Sequence, residues 1–530
     1  MHLTSTRLYL AFIFLLLSAV TIVRVIDPFF VRGLRLLSFD WYQRLHPEPY
    51  DPKIPVRIVD IDEASLARIG QWPWPRTVMR DLLLALNAKG AAAVGFDILF
   101  VEPDRTSLEE IAKRLPEAQG SVLLRYMAEE RTNDQAFAQA LSETPSVLGT
   151  SLSRNSTASI RPKAGFVVAG DDPWPFIPAF PGASGNLPEL EAAAKGIGAI
   201  NWVPDRDQIV RRVPLLYRIG NEPVPALSAE LLRVGQGAGT YILKAANASG
   251  ETGFGRNTGL NHLKVGNIEI PTDPDGSIFI KFRRSNPAAF IPAWKVLSGE
   301  LSQADVAGRI VLVGTSAPGL LDLRATPLSP AIPGVEIHAQ VLEHILAGRS
   351  LVRPDYALAI EETIMIALGL LLAAILPYVS AAWAAVCALF TVVALVLGGW
   401  LMFRVGGLLI DTAYPTLALA FIAGAITFYV YRGVETQRTT IRPAFGRCLA
   451  PEVIEEIIAD PNKLELGGEV RELTLMFCDV RNFTSISEQL SAAELTHFVN
   501  ELLKRDHFAS SRHDRQIHGR CRHGILERAY

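Results

Sequence analysis

The chain has 530 residues, 49% of them hydrophobic, and a formal net charge of -3. That length provides for two or three domains, and the hydrophobic share sits at the upper edge for a soluble protein. The near-neutral balance, without a long run of one sign, gives no footing for a nucleic-acid partner.

The apolar excess is concentrated. Leu8 to Val23 carries no charge and is bracketed by Arg7 and Arg24, so residues 1–26 read as a membrane anchor or an uncleaved signal. A cleavable signal is the competing reading, but no small-x-small site follows Val20. Three further stretches, Thr363 to Val379, Ala381 to Phe403 and Ala413 to Tyr431, are each long enough to cross a bilayer with tilt or local thinning. Buried core helices are the alternative, and linkers as short as Ser380 argue against them. Four crossings place both termini on one side. Arg432, Arg438, Arg442 and Arg447 follow the last span and assign that side to the cytoplasm, so residues 27–356 are expected outside it. Cysteine usage agrees: Cys387 lies in a span, Cys448, Cys478 and Cys521 lie beyond the spans, and 27–356 has none. A disulfide-stapled exported domain is excluded.

Within 27–356 the pattern is mixed α/β. VRIVDID (56–62) and AAVGFDILF (92–100) read as buried strands around a helix at 77–90 closed by Gly90, a β-α-β unit. RIVLVGTS (309–316) is another strand, followed by a Pro/Gly-rich loop and a helix from Val335 to Ala347, while 145–290 alternates short strands and turns. Asp60, Asp62 and Asp97 fall at strand ends, where α/β proteins contact ligands. A metal or catalytic site is one reading of them; helix caps or bonds to loop amides are the commoner one. QWPWP (71–75) is either an aromatic ligand platform or, by preference, a stiff loop packed on the core. His338 has no second histidine at metal spacing and is expected to be a hydrogen-bonded helix residue.

After Arg432 a polar connector (433–470) precedes an expected strand, Leu473 to Cys478, that delivers Asp479 to its end. Pro451 opens an expected short amphipathic helix before it. Ser485 and Glu488 have capping-box spacing, so a helix is expected to open near Thr484 with its amides toward Asp479. A divalent metal carrying a phosphate would reconcile that carboxylate with that helix start, although strand, Asp, turn and capped helix is also an ordinary sequence.

Two resemblances extend this reading. IVDIDEASLARIGQWPWPR, GFDILFVEPD and LVGTSAPGLLDLRATPLSPAIPGVEIHAQVLEHIL together resemble the second type of CHASE domain, an extracellular sensor that is followed by three spans in its family; the likeness covers most of 27–355. FCDVRNFTSISE and AAELTHFVNELL are similar to the opening of the class III adenylate and guanylate cyclase domain. The resemblance implies that Asp479 is a metal-binding aspartate, that the Val480 carbonyl adds a ligand, and that amides around Asn482, Phe483 and Thr484 hold a triphosphate. It also implies two divalent ions, Mg or Mn, ATP as substrate of the intact family, cyclic AMP and pyrophosphate as products, and a homodimer. The expected architecture is a multi-domain membrane protein of the bacterial inner membrane: an α/β exported sensor with an unknown external ligand, four transmembrane helices (the last three in 357–432), and an α/β, ferredoxin-like cyclase domain beginning at 471–503.

The second metal aspartate of that family lies on a hairpin reading like GTIDKYMGDAVMAFWNAP, with a purine-selecting lysine. Here the chain reads RHDRQIHGRCRHGILERA. When codons allowed for Arg512 to Ala529 are read from the second base of each to the first base of the next, every step permits the family residue. The stretch 504–530 is therefore expected to be an out-of-frame tail, its histidines and arginines carrying no site, with the catalytic domain truncated and inactive. The alternative is a ligand-binding membrane sensor with no enzymatic output. A histidine-kinase receptor would need a phospho-accepting helix and an ATP-binding domain, which no segment after Arg432 resembles.

Overall fold

A computed structural model describes residues 3–117, 119, 131–249, 259–317, 322–445 and 480–509. The chain forms two compact units, Met1–Gly424 and Ala425–Tyr530.

The first unit opens with helix α1 (Leu3–Ile26), then a bend at Asp27 and Pro28, then α2 (Phe29–Leu45). Proline at the N-cap of α2 removes an amide that would have no helical partner. A seven-stranded sheet follows, built from β1 (Val56–Ile61), β2 (Ala93–Phe96), β3 (Ser146–Ser153), β4 (Gly182–Ser184), β5 (Gly196–Ala199), β6 (Phe290–Pro292) and β7 (Ile310–Thr315). Its order is β6-β1-β7-β2-β3, with β3 pairing β5 in parallel along Val147–Thr150 and β4 antiparallel along Ser151–Ser153. All other pairings in this sheet are parallel. The expected strand-helix-strand unit is present, with α3 (Arg76–Ala88) between β1 and β2. Those two strands are not neighbours, because β7 inserts between them.

Both faces of the sheet are covered, which is why its strands read as unbroken apolar runs. Side chains alternate across a strand. Val59, Ile61, Val94, Phe96, Val311 and Val313 share one core with Met79, Leu82, Leu83 and Leu86 of α3 and with Phe137 and Leu141 of α4 (Asn133–Glu143). Val56, Ile58, Ala93, Ile310 and Leu312 face the other core, with α5 (Leu227–Gly235) and α6 (Gly334–Leu346). Gly198 of β5 permits the close seating of α5: a Cβ there would lie 2.5 Å from Leu227 Cα. Phe96, Phe100 and Phe137 meet edge to face, with ring centroids 5.3 to 5.8 Å apart.

The chain then enters α7 (Ala357–Ile375), α8 (Ala381–Gly406) and α9 (Ala413–Phe445). Four helical segments are long and apolar enough to cross a membrane: Thr6–Ile26, Ala357–Tyr378, Ala381–Gly406 and Ala413–Arg432. The second starts six residues before the expected Thr363 and takes in Glu361. The extension is tolerated because Glu361, 1% exposed, is paired with Arg24 of α1 and, at 2.9 Å, with Arg353. Charge neutralisation hides from a hydropathy reading a stretch that is helical and buried.

In the second unit, residues 483–487 form a five-residue helix and 492–509 a longer one. The expected capping box at Ser485 and Glu488 is not the one formed. Ser491 and Glu494, at the same spacing, make it instead: the Ser491 amide donates to Glu494 Oε2 at 3.0 Å and the Glu494 amide to Ser491 Oγ at 3.4 Å. The shorter helix begins at Asn482, whose left-handed backbone turns the chain without a side-chain cap. The expected helix at Pro451 and the strand Leu473–Cys478 lie outside the described residues, as do residues 510–530 of the expected tail, whose first residues, 504–509, continue the longer helix.

Candidate ligand-binding cleft

In a parallel sheet with helices on both faces, the carboxyl ends of the strands open into a crevice where the strand order changes direction. Here the ends of β2, β7, β3 and β5 surround a cavity of about 890 Å³, closed at its sides by the loops 202–210 and 322–330 and by the first turn of α6. That volume suits a small organic molecule.

Asp97 follows β2 directly and lies on the cavity wall. Its amide donates to Val313 O at 2.9 Å, which fixes its backbone in the sheet. Its carboxylate has no hydrogen bond or ion pair with any described residue. Burial pushes this carboxyl up to about 7; the charge of Asp322 adds to the rise and Arg324 opposes it. Asp322 reaches the cavity from the opposite loop and pairs with Arg324 at 2.5 Å. Gly334, with no side chain, leaves room for the Asp322 carboxylate at the start of α6. Arg76 lines the cavity too but is engaged elsewhere, with Asp134 at 3.1 Å, the Glu102 carbonyl at 2.8 Å and the Phe100 ring beneath it.

The other two candidate aspartates divide by role. Asp62 is a helix cap, accepting the Ser65 amide at 2.8 Å at the head of the helix Glu63–Ile69. Asp60 is buried and accepts from Ser316 Oγ at 2.6 Å; burial raises its carboxyl to about 6 against that hydrogen bond, and Asp62 adds to the rise. Among the described residues no group of three or more histidine, cysteine, aspartate or glutamate side chains is placed to hold a metal ion.

The QWPWP stretch is divided between core and cavity. Trp74 is core, 2% exposed with its indole nitrogen donating to Gly70 O at 2.8 Å, whereas Trp72 and Pro73 line the cavity. Trp202 also lines the cavity and rests on the ring of His338, centroids 4.2 Å apart. His338 departs from expectation: it is fully buried, and neither ring nitrogen has a hydrogen-bond partner among the described residues. Burial lowers it to about 3 and keeps it neutral.

Both loops that wall the cavity are fastened to α2. Arg211, at the end of the first, makes a bidentate pair with Asp40 at 2.7 and 2.8 Å and also binds Asp205 at 2.9 Å and Asp207 at 2.6 Å. Arg44 donates to the carbonyl of Pro327 in the second at 2.9 Å. The loops are joined to each other where the Val210 amide donates to Ala325 O at 2.8 Å. At the head of α2, Arg35 pairs with Asp27 at 2.9 Å, and further along Tyr42 shares a hydrogen bond with Thr412 at 2.8 Å. Arg24, buried at the end of α1, contacts Glu361 of α7 and Asp411 before α9. Sequence reasoning missed Arg211, Asp40 and Arg24, since nothing local distinguishes them from surface charges.

Of the residues expected to bind metal and triphosphate, Asp479 lies outside the described residues. Val480, Asn482, Phe483 and Thr484 form one turn, in which the Phe483 amide donates to the Val480 carbonyl at 3.2 Å. The carbonyl expected to meet a metal and an amide expected to meet phosphate are thus bonded to each other. The described residues do not assemble a two-metal site.

The fold and cavity define a membrane-anchored, doubly wound α/β domain with a ligand-sized cleft at the carboxyl ends of its strands. A protein-family model described as the CHASE2 domain matches residues 11–376, more than half of the chain, and the chain belongs to that family. No curated protein and no solved structure matches it.

Proposed function

We propose that this protein is a membrane signal receptor whose α/β domain lies outside the cytoplasm, binds a small ligand in the cleft, and passes occupancy to the membrane helices through α2. The observation that carries this reading is the double attachment of the cleft loops to α2 by Arg211–Asp40 and by Arg44 to the Pro327 carbonyl. A ligand that draws those loops together acts on α2, and α2 continues from the first apolar helix across only Asp27 and Pro28. The test is hydrogen exchange on the full chain in lipid nanodiscs, screened against small molecules. A ligand that protects 202–210 and 322–330 is expected to change exchange in α2 as well; one that protects the loops and leaves α2 unaltered overturns the reading.

For the output we propose the class III cyclase resemblance, with Asp479 and the turn Val480–Thr484 as the beginning of its nucleotide site, two divalent metals and ATP as the ligands of the parental enzyme, and a homodimer as its working form. What supports this is the string FCDVRNFTSISE with AAELTHFVNELL after it, and the family hairpin recoverable from Arg512 to Ala529 in a shifted frame. As written, the position of the second metal aspartate holds an unrelated residue, so membranes containing this chain are expected to make no cyclic AMP above vector background. Sequencing the encoding DNA from about codon 495 onward separates the two outcomes. A vanished base change restores a complete membrane cyclase, and a persistent one leaves a sensor without that output.

A further inference from the structure

The cleft carries more information than its size. Its charged lining residues are Arg76, Asp97, Asp322 and Arg324. Arg76 is neutralised by Asp134 and Arg324 by Asp322. The one charge left without a counterion among the described residues is the carboxylate of Asp97, held at the edge of a parallel sheet by its backbone. Two indoles, Trp72 and Trp202, line the same cavity, the second resting on His338. A carboxylate lacking a counterion, together with aromatic faces, is the environment that recognises a desolvated organic cation, because ring quadrupole and carboxylate attract the same positive charge. An anionic ligand would meet Asp97 and Asp322 with no unpaired cation among the described lining residues to receive it.

We infer that the cleft takes a small organic cation, an amine- or guanidine-bearing molecule whose positive group faces Asp97 and whose hydrocarbon lies against Trp72 and Trp202. The inference rests on the receptor reading above only for its consequence at α2; the recognition chemistry stands by itself. Because burial holds Asp97 near neutrality in its titration, a cation binds best when that carboxyl is ionised. Affinity therefore increases as pH rises from 6 to 8; the other charged lining residues are already paired, Asp322 with Arg324 and Arg76 with Asp134.

The experiment is calorimetry on the full chain in nanodiscs with 1,4-diaminobutane, agmatine and choline as probes, against 1,4-butanediol and glutarate as neutral and anionic counterparts. At least one cation is expected to bind saturably at pH 8, at least tenfold more weakly at pH 6, and at least tenfold more weakly to Asp97→Asn, while 1,4-butanediol and glutarate do not bind. The variant Trp202→Leu supplies a second measure, with a several-fold loss for the same cation and hydrogen exchange in β2 and α3 confirming that both variants are folded. Binding of 1,4-butanediol or glutarate in preference to the cations overturns the ligand class and leaves the receptor reading intact. So does cation binding that Asp97→Asn does not weaken, and so does a failure of all three cations to bind. Cation binding that follows the expected pattern but leaves α2 exchange unaltered supports the ligand class and sinks the receptor reading.

Discussion

Arg211, at the end of one cleft loop, and Asp97, on the cleft wall, are treated in opposite ways by the fold. Arg211 is 2% exposed and answered by three carboxylates, with Asp40 in bidentate geometry and itself 1% exposed. Asp97 is half-buried and answered by none among the described residues. A buried charge with a full set of partners is a joint, since moving it means breaking several strong hydrogen bonds at once. A half-buried carboxylate that faces a cavity without partners among the described residues keeps its hydrogen-bonding capacity for whatever enters. The difference assigns fastening to Arg211 and recognition to Asp97, although both are single charged residues in loops of one domain.

The largest expected effect comes from breaking the joint. Arg211→Ala strands Asp40 in the protein interior beside Asp205 and Asp207, and should destabilise the α/β domain by about 3–5 kcal/mol. Pulse proteolysis of the full chain in nanodiscs measures it. A loss under about 1 kcal/mol would place Arg211 among ordinary surface pairs and remove the contrast with Asp97.

Asp97→Asn should act in the opposite direction. An ordinary aspartate gives up its proton near 3.8, whereas Asp97 holds it to about 7 in the folded chain. Between those values the folded state carries a proton that the unfolded state has lost, so stability falls as pH rises from about 4 to about 7 and levels off above. Asparagine cannot ionise. The variant should match the parent near pH 4 and exceed it by about 1–3 kcal/mol at pH 8, less than the full shift in titration because the cavity admits solvent. Unfolding midpoints across that pH range check this, and a variant less stable than the parent at pH 8 would show that Asp97 has partners after all.

The smallest effect sharpens the comparison with a neighbour of the same residue type. Asp62→Ala removes only the cap on Glu63–Ile69, at a cost of about 1 kcal/mol with no dependence on amine ligands. Hydrogen exchange in that helix should rise while the cleft loops stay unchanged.

Some of this was legible before the structure. The apolar runs at 56–61, 93–96 and 310–315 are strands because both faces of a parallel sheet are buried, and such strands announce themselves by composition. The capping role of Asp62 is likewise local. The division of QWPWP into a core indole and a cleft indole was not legible, because successive aromatic residues of one loop carry no mark of which will meet the core. His338 misled for a similar reason: a histidine usually finds a partner, and only the tertiary packing shows one buried against Trp202 with neither ring nitrogen bonded among the described residues.

What the sequence determined by itself is therefore what short-range physics controls: the apolar helices, the strands of the central sheet, the turns and the caps, and the composition that places this chain in a membrane. The tertiary structure alone decided what depends on residues far apart in the chain. The insertion of β7 between β1 and β2 brings Asp97 beside the strand that ends at Thr315, the pairing of Glu361 with Arg24 carries a helix through an acidic residue, and the Arg211–Asp40 bond joins cleft to stalk. Each of these is a pairing of charges or backbones over tens to hundreds of positions, and no local pattern specifies which partner such a group will find.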